Sequence, residues 1–321
     1  MSQAETKPRT IGQQQTNMSL DNTSHAGRTG LDELVPSRYA VRVGEIEVLV
    51  ISDGVLTPPA ESMATNADPA VRAAWLDDRF LSRVAFDWAL NAVVVRSGGQ
   101  TILIDSGLGE EYPDFPRAGQ FVHRLEAAGV DLASVTDVVL THMHFDHVGG
   151  LLVDGVKDRL RPDLRVHVSA AEAKFWEAPD FSRTAMPPAL AELARRASRQ
   201  FLDEYRSHLR TFEEECEVAP GLVVTRTGGH TPGHSVVRVA SGGDRLMFAG
   251  DALFPVSFDH PEWHNGFEHD PEEATRVRLR LMRELAETGS LLVSTHMPFP
   301  SVGHVAAAGD LFRWVPSWWD Y

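Results

Sequence analysis

Thr141-His142-Met143-His144-Phe145-Asp146-His147-Val148-Gly149-Gly150 follows directly on the apolar run Asp137-Val138-Val139-Leu140. Three histidines and an aspartate therefore crowd into the turn at the end of a β-type segment. An i, i+2 histidine pair leaving a strand can turn two imidazoles toward one ion. Asp146 and His147, where the chain changes direction, can reach a second. Imidazole with carboxylate suits zinc, and also iron, manganese or cobalt. A surface loop with scattered histidines is the competing reading, and it leaves unexplained why other β-type runs end in the same residue types.

Those other runs are short and rich in β-branched residues, bounded by Gly, Asp or Pro. They cover residues 46–51, 91–95, 101–104, 137–140, 164–168, 222–224, 235–239, 245–249 and 291–294. Helical spacing of apolar residues appears over 121–128 and over a long stretch, 188–214. Asp270-Pro271-Glu272-Glu273 reads as a helix start, with Asp as N-cap and Pro at the first helical position, and predicts a helix over 271–287. Alternating strands and helices indicate an α/β fold, while the hairpin turning at Gly98-Gly99 implies a mixed sheet. Two layered sheets flanked by helices suit this count.

The chain has 321 residues, thirty basic and forty-five acidic side chains and a net charge of −15. That charge repels nucleic-acid phosphates, so no nucleic-acid partner is expected. No segment has the uninterrupted apolar length that crosses a bilayer, so no membrane partner is expected. Cys216 is the only cysteine, which rules out an internal disulfide and cysteine-based zinc clusters and fits a reducing, cytoplasmic compartment. Residues 1–30 are polar and lack the apolar core of a secretory signal. They read as a flexible tail, with an arm exchanged with a partner subunit as the alternative, before a single domain over 31–321. The aromatic end, residues 314–321, is expected to dock on the core or at a subunit interface, and it favours a homodimer.

Further ligand types stand at strand ends: His230 in Gly228-Gly229-His230-Thr231-Pro232-Gly233-His234, Asp251 after residues 245–249, and His296 after residues 291–294. With these in place the sequence resembles the metallo-β-lactamase-fold hydrolase superfamily: H-x-H-x-D-H, a later His, a bridging Asp and a final His. The resemblance runs from Asp105 to His296. It implies a four-layer αβ/βα sandwich of two mixed β-sheets flanked by helices. By position it implies His142, His144 and His230 on a first metal, Asp146, His147 and His296 on a second, and Asp251 bridging them. Asp105 matches an aspartate that orients a ligand histidine. His234 takes a structural role. His123, His167 and His208 are isolated, and His260, His264 and His269 are left outside the site.

The implied chemistry is that of a dinuclear zinc hydrolase, with manganese, cobalt or iron as alternative ions. A metal-bridging hydroxide attacks a neutral ester, and Asp146 accepts and returns a proton. The zinc β-lactamases that use a cysteine ligand are excluded, because Cys216 is far from the matching position. Thr295-His296-Met297-Pro298-Phe299-Pro300-Ser301-Val302-Gly303-His304 resembles the methyl-parathion-hydrolase-like branch of phosphotriesterases, arylesterases and lactonases. Homoserine-lactone lactonases carry a tyrosine three residues after the bridging Asp, and Phe254 stands there instead. Phe86, Trp88, Phe115, Trp176 and Phe254 are candidate walls of an apolar substrate pocket. The expected substrate is a lactone or aryl ester. An organophosphate triester hydrolase is the alternative, and an iron-dependent oxidoreductase on the same fold is the alternative of another class.

Overall fold

The structure is a computed structural model that describes residues 36–109, 112 and 115–319. The tail expected over residues 1–30 lies outside them, as does the last part of the aromatic end.

Two seven-stranded mixed sheets stack face to face. The first runs in sequence order through β1 (Arg38–Val43), β2 (Ile46–Leu56), β3 (Trp88–Ser97), β4 (Gln100–Ile104), β5 (Asp137–Val139), β6 (Arg165–Ser169) and β7 (Leu209–Phe212). The second contains β8 (Glu215–Ala219), β9 (Leu222–Arg226), β10 (Ser235–Ser241), β11 (Asp244–Phe248), β12 (Leu291–Val293), β13 (Gly303–Ala308) and β14 (Leu311–Pro316), also in sequential order. β4 to β7 pair in parallel, and so do β11 and β12, while the remaining neighbours are antiparallel.

Three apolar clusters fill the spaces between four layers. Val48, Val50, Val93, Ile102, Ile104, Val224, Val237 and Phe248 meet between the sheets. Val138, Val166, Phe121, Leu125, Phe201 and Tyr205 join the outer face of the first sheet to its helices. Met247, Leu292, Val277, Leu281 and Leu285 join the second sheet to the last helix. Because strands alternate side chains between faces, one strand feeds two clusters: Val138 faces the helices while Val139 faces the other sheet. Each such aliphatic side chain contributes about 1.5–3 kcal/mol on burial.

The helices follow their sequence signals with one exception. The Asp270 side chain caps a helix over Pro271–Thr288 by accepting the Glu273 N–H at 3.1 Å, and Gly289 ends it in the left-handed region. The helix expected over 188–214 stops at Tyr205. Leu209–Phe212 instead pairs with Arg165–Ser169 in parallel register, and Phe212 enters the core between the sheets. Tertiary pairing overrides local helical spacing there. No helix of the described residues is long and apolar enough to cross a membrane.

Trp314 packs on Phe258 and Trp319 on Tyr39, with ring centroids 5.9 and 5.2 Å apart. The aromatic end therefore docks through an edge strand, although Trp318 stays exposed.

Two buried polar residues fix the segments that lead to the shared rim of the sheets. Asp53, at the bulge of β2, accepts the N–H groups of Leu108 at 2.8 Å and Phe121 at 2.6 Å, tethering both ends of the loop after β4. Burial pushes its carboxyl up to about 7. The Asn91 amide lies 2.9 Å from the Thr295 carbonyl and 2.7 Å from that of Met297, so it holds the residues on either side of His296. Asn91→Ala takes the amide from the Met297 carbonyl, while Thr295 keeps the backbone N–H of residue 91 at 3.0 Å, and with the cavity it leaves is expected to cost roughly 1–3 kcal/mol. Urea unfolding checks this, and a loss under about 0.5 kcal/mol would contradict it.

Candidate metal centre

Every residue of the proposed centre sits just past the C-terminal end of a strand or in the loop beside one. Asp105 follows β4 and the 142–147 cluster follows β5, its parallel neighbour. Asp251 follows β11 and His296 follows β12, also a parallel pair. His230 stands in the loop between β9 and β10. Parallel neighbours finish at one rim, so stacking the sheets brings all these side chains together.

His142, His144, Asp146, His147, His230, Asp251 and His296 are all buried. His144 Nδ1 lies 2.9 Å from His142 Nε2 and 3.0 Å from His230 Nε2, closing a three-imidazole group. Asp146 Oδ2 lies 3.7 Å from His147 Nε2 and 3.6 Å from His296 Nε2, closing a second group. Asp251 faces both. Its Oδ2 is 3.4 Å from His230 Nε2 and 3.0 Å from His296 Nε2, and its Oδ1 is 3.3 Å from His147 Nε2.

The far nitrogens show how the rings are aimed. His147 Nδ1–H donates to Asp105 Oδ2 at 2.8 Å. Thr141 donates its N–H to Asp105 Oδ1 and its hydroxyl to Oδ2, which leaves Thr141 Oγ1 to accept from His142 Nδ1 at 3.1 Å. His296 Nδ1–H donates to the Ala89 carbonyl at 2.9 Å. His144 Nε2 faces His269 Nε2 at 3.4 Å, and His269 Nδ1–H in turn donates to the Asp180 carbonyl. His234 is not part of either group. Its Nε2 accepts the Asp251 N–H at 3.1 Å, and its Nδ1 faces Thr227 Oγ1 at 2.8 Å. It orients the Asp251 backbone, and a Cβ on Gly250 would come within 2.9 Å of its ring.

These residues fit a divalent ion. His147 Nε2 and Asp251 Oδ1 are buried without a hydrogen-bond partner although they face each other, which is costly unless a cation lies near both. Desolvation, with the neighbouring imidazoles, lowers the pKa of His142 and His144 well below the usual histidine range; it does the same at His230. All three are therefore neutral and ready to coordinate. Burial also opposes charge on His147, but Asp251, Asp105 and Asp146 overcome it and raise its pKa well above normal. Asp251 raises His296 in the same way.

Residues 86–296 match the Metallo-beta-lactamase superfamily. The chain belongs to that superfamily. Among solved members, AidC, a dizinc quorum-quenching lactonase in complex with a product, is similar at a TM-score of 0.80 and 26% identity, over 89% of this chain and 99% of that one. The hydrolase AbOPH is similar at a TM-score of 0.78 and 27% identity, with the same coverage. A protein of Mycobacterium bovis called a probable metallo-hydrolase is 25% identical over 228 residues, 63% of this chain and 69% of that one. The superfamily and these neighbours support a hydrolase that binds divalent metal.

A cavity of about 160 Å³ opens over this metallo-β-lactamase-type rim, with His144, Asp146, Asp251 and His296 at its floor. Trp88, Phe115 and Phe254, expected as walls, do line it. Phe86 and Trp176 do not. Phe86 backs onto Trp88 from behind, and Trp176 turns its indole N–H to Glu172 at 2.6 Å and its ring edge to His144. An indole N–H needs an acceptor when buried, and a carboxylate inside the protein captures this one. His269, set aside in the sequence, proves to contact His144. Only its nearness to the ligand pattern in space marks it, and spacing along the chain gives no sign of that.

Because His147 and His296 hold protons below their raised pKa, a dication must displace them. Affinity for zinc is therefore expected to rise from about pH 6 to about pH 8, and zinc uptake to acidify a weakly buffered solution. Calorimetry in buffers of different ionisation enthalpy measures the released protons, and zero release contradicts the assignment.

Proposed function

We propose that this chain is a dinuclear zinc hydrolase that opens a lactone or cleaves a related neutral ester. His142, His144 and His230 would hold one ion, Asp146, His147 and His296 the other, and Asp251 both. Bound ions would supply Lewis acidity and lower the pKa of a coordinated water toward about 7.

The observation that carries the substrate class is the cavity lining. Among the described residues around it there is no lysine or arginine, and Leu56, Pro59, Trp88, Phe115, Leu190 and Phe254 make the walls mainly apolar. Beyond the ions, a carboxylate or phosphodiester would find no counter-charge in the described walls and would lose its hydration against them. A neutral ester would not. The likeness to a dizinc lactonase over nearly its whole length supports a lactone first. Neutral phosphotriesters satisfy the same electrostatic condition and are the expected side substrates.

Asp146 is the residue assigned to proton transfer. It stands at the cavity floor, where a carboxylate oxygen not spent on an ion would be placed to take up and return a proton. His147 and His296 keep its position by facing Oδ2 from two sides. Phe254 lies stacked on His296, with centroids 5.3 Å apart and planes 11° apart, so it supplies shape and no hydroxyl.

Zinc-loaded protein should hydrolyse members of a panel of γ-lactones and aryl esters, and chelation should stop it. Asp146→Asn is expected to lower kcat by roughly 10²–10⁴. Wild-type turnover by that variant, or by chelated enzyme, would sink the proposal.

A further inference from the structure

The short helix α1, Ala170–Glu177, in which the sequence marks only Trp176, touches both loops that carry the first three imidazoles. Ser169 caps it by accepting the Glu172 N–H, and the Glu172 side chain is fully buried. Its Oε1 accepts the Met143 N–H at 2.9 Å and the Trp176 indole N–H at 2.6 Å. Its Oε2 accepts the Thr231 hydroxyl at 2.6 Å and the Gly233 N–H at 3.0 Å. Met143 lies between His142 and His144, and Thr231 and Gly233 lie just after His230. One carboxylate therefore joins the two loops at points directly beside all three rings.

Two further observations show that this junction is built. A Cβ on Gly233 would come within 2.1 Å of the Glu172 nitrogen, so the approach of loop to helix requires glycine there. Ser198 also donates to the Met143 carbonyl at 2.6 Å, so the residue between the two histidines is held at both its N–H and its C=O. Burial pushes the Glu172 carboxyl up, and the four contacts pull against it. Three of the four partners are N–H groups that can only donate, and the Thr231 hydroxyl can donate as the fourth, so the carboxylate is the form that uses all four.

We propose that Glu172 is a positioning residue for the first metal-binding triad. Its carboxylate ties the His142/His144 loop to the His230 loop, holds the three imidazoles assembled before an ion arrives, and sets the affinity of that triad. It touches neither substrate nor ion. The second group, Asp146, His147 and His296, hangs on other supports, Asp105 and the Ala89 carbonyl, so the effect is confined to one ion. This inference rests on the reading of the cluster as a two-ion centre.

The test is a zinc titration of the full chain against a competing chromogenic chelator at fixed pH. It compares wild type with Glu172→Gln, which keeps the shape but turns an amide N–H₂ toward two donors, and with Thr231→Val, which removes one donor and keeps the charge. Glu172→Gln is expected to weaken one of the two ions about 10- to 100-fold and leave the other within about threefold. Thr231→Val is expected to weaken the same ion by less, and it decides the matter if Glu172→Gln does not fold. Unchanged affinity for both ions overturns the proposal, as does equal weakening of both, which a general loss of structure would give. Wild type that binds no zinc overturns the two-ion reading itself, a result distinguishable from failure of the Glu172 assignment alone.

Discussion

A carboxylate whose two oxygens face four imidazoles can be buried where two sheets meet only if its charge is balanced and the rings are held from behind. Asp251 is in that position, within 4.0 Å of His142, His147, His230 and His296. An unbalanced buried carboxylate costs several kcal/mol. In the metal-free chain, protons on His147 and His296 provide the balance, and Asp251 itself, although burial works against it, is held well below the usual carboxylate range by those imidazoles. A bound cation takes over that role. The same electrostatic requirement therefore governs the stability of the empty rim and its affinity for metal.

The rings can meet this demand because the outer nitrogens of His142, His144, His147 and His296 are anchored on the fold, whereas that of His230 is buried without a partner. Asp105 holds His147 and, through Thr141, His142, and it does so from a backbone with φ +59° that an aspartate tolerates better than most side chains. Ala89 holds His296 from β3, and Asn91 two residues on holds the same loop. His144 leans on His269, whose own pKa burial lowers to about 4, so that a neutral ring can accept at Nε2 while Nδ1 donates to Asp180. Even Thr141, which holds His142 from within the same loop, is itself held by Asp105. A change in any of these anchors acts on metal geometry through the fold, without touching an ion.

This division explains what the sequence discloses. The ligand types stand at strand ends in a recognisable order, and the helix beginning at Asp270 is marked by its cap and proline. Those features are local, so Asp105, His142 to His147, His230, Asp251 and His296 could be named in advance. Strand β7 was hidden, because Leu209 and Phe212 stand three apart like residues on one helical face, and only pairing with β6 distinguishes them. Glu172 and His269 were hidden for a related reason: each acts on a loop far away in the chain. Gly233 carried the one legible hint, a glycine where the loop turns, though nothing in the sequence says that it makes room for a helix. Trp176 was legible as an aromatic near the rim but not as a partner of Glu172, which takes it out of the cavity wall.

The cavity separates chemistry from selectivity. On the proposed reading, its floor of His144, Asp146, Asp251 and His296 supplies the groups that act on a scissile bond, whereas its described walls, Thr57 and Ser62 apart, offer a substrate mainly apolar surface and shape. Phe254 lies flat on His296, so the carbonyl assistance that a tyrosine could offer at that position has no counterpart there, and orientation must come from fit between Trp88, Phe115 and Leu190. Apolar fit discriminates weakly, since one methylene in such a pocket is worth about 1–3 kcal/mol, or roughly 10- to 200-fold. On the proposed reading, a chain built this way accepts a family of neutral esters graded by size and excludes charged ones more sharply. The sharper boundary would follow from the lack of lysine and arginine among the described wall residues, because desolvating an anion against an apolar wall costs more than misfitting a methylene.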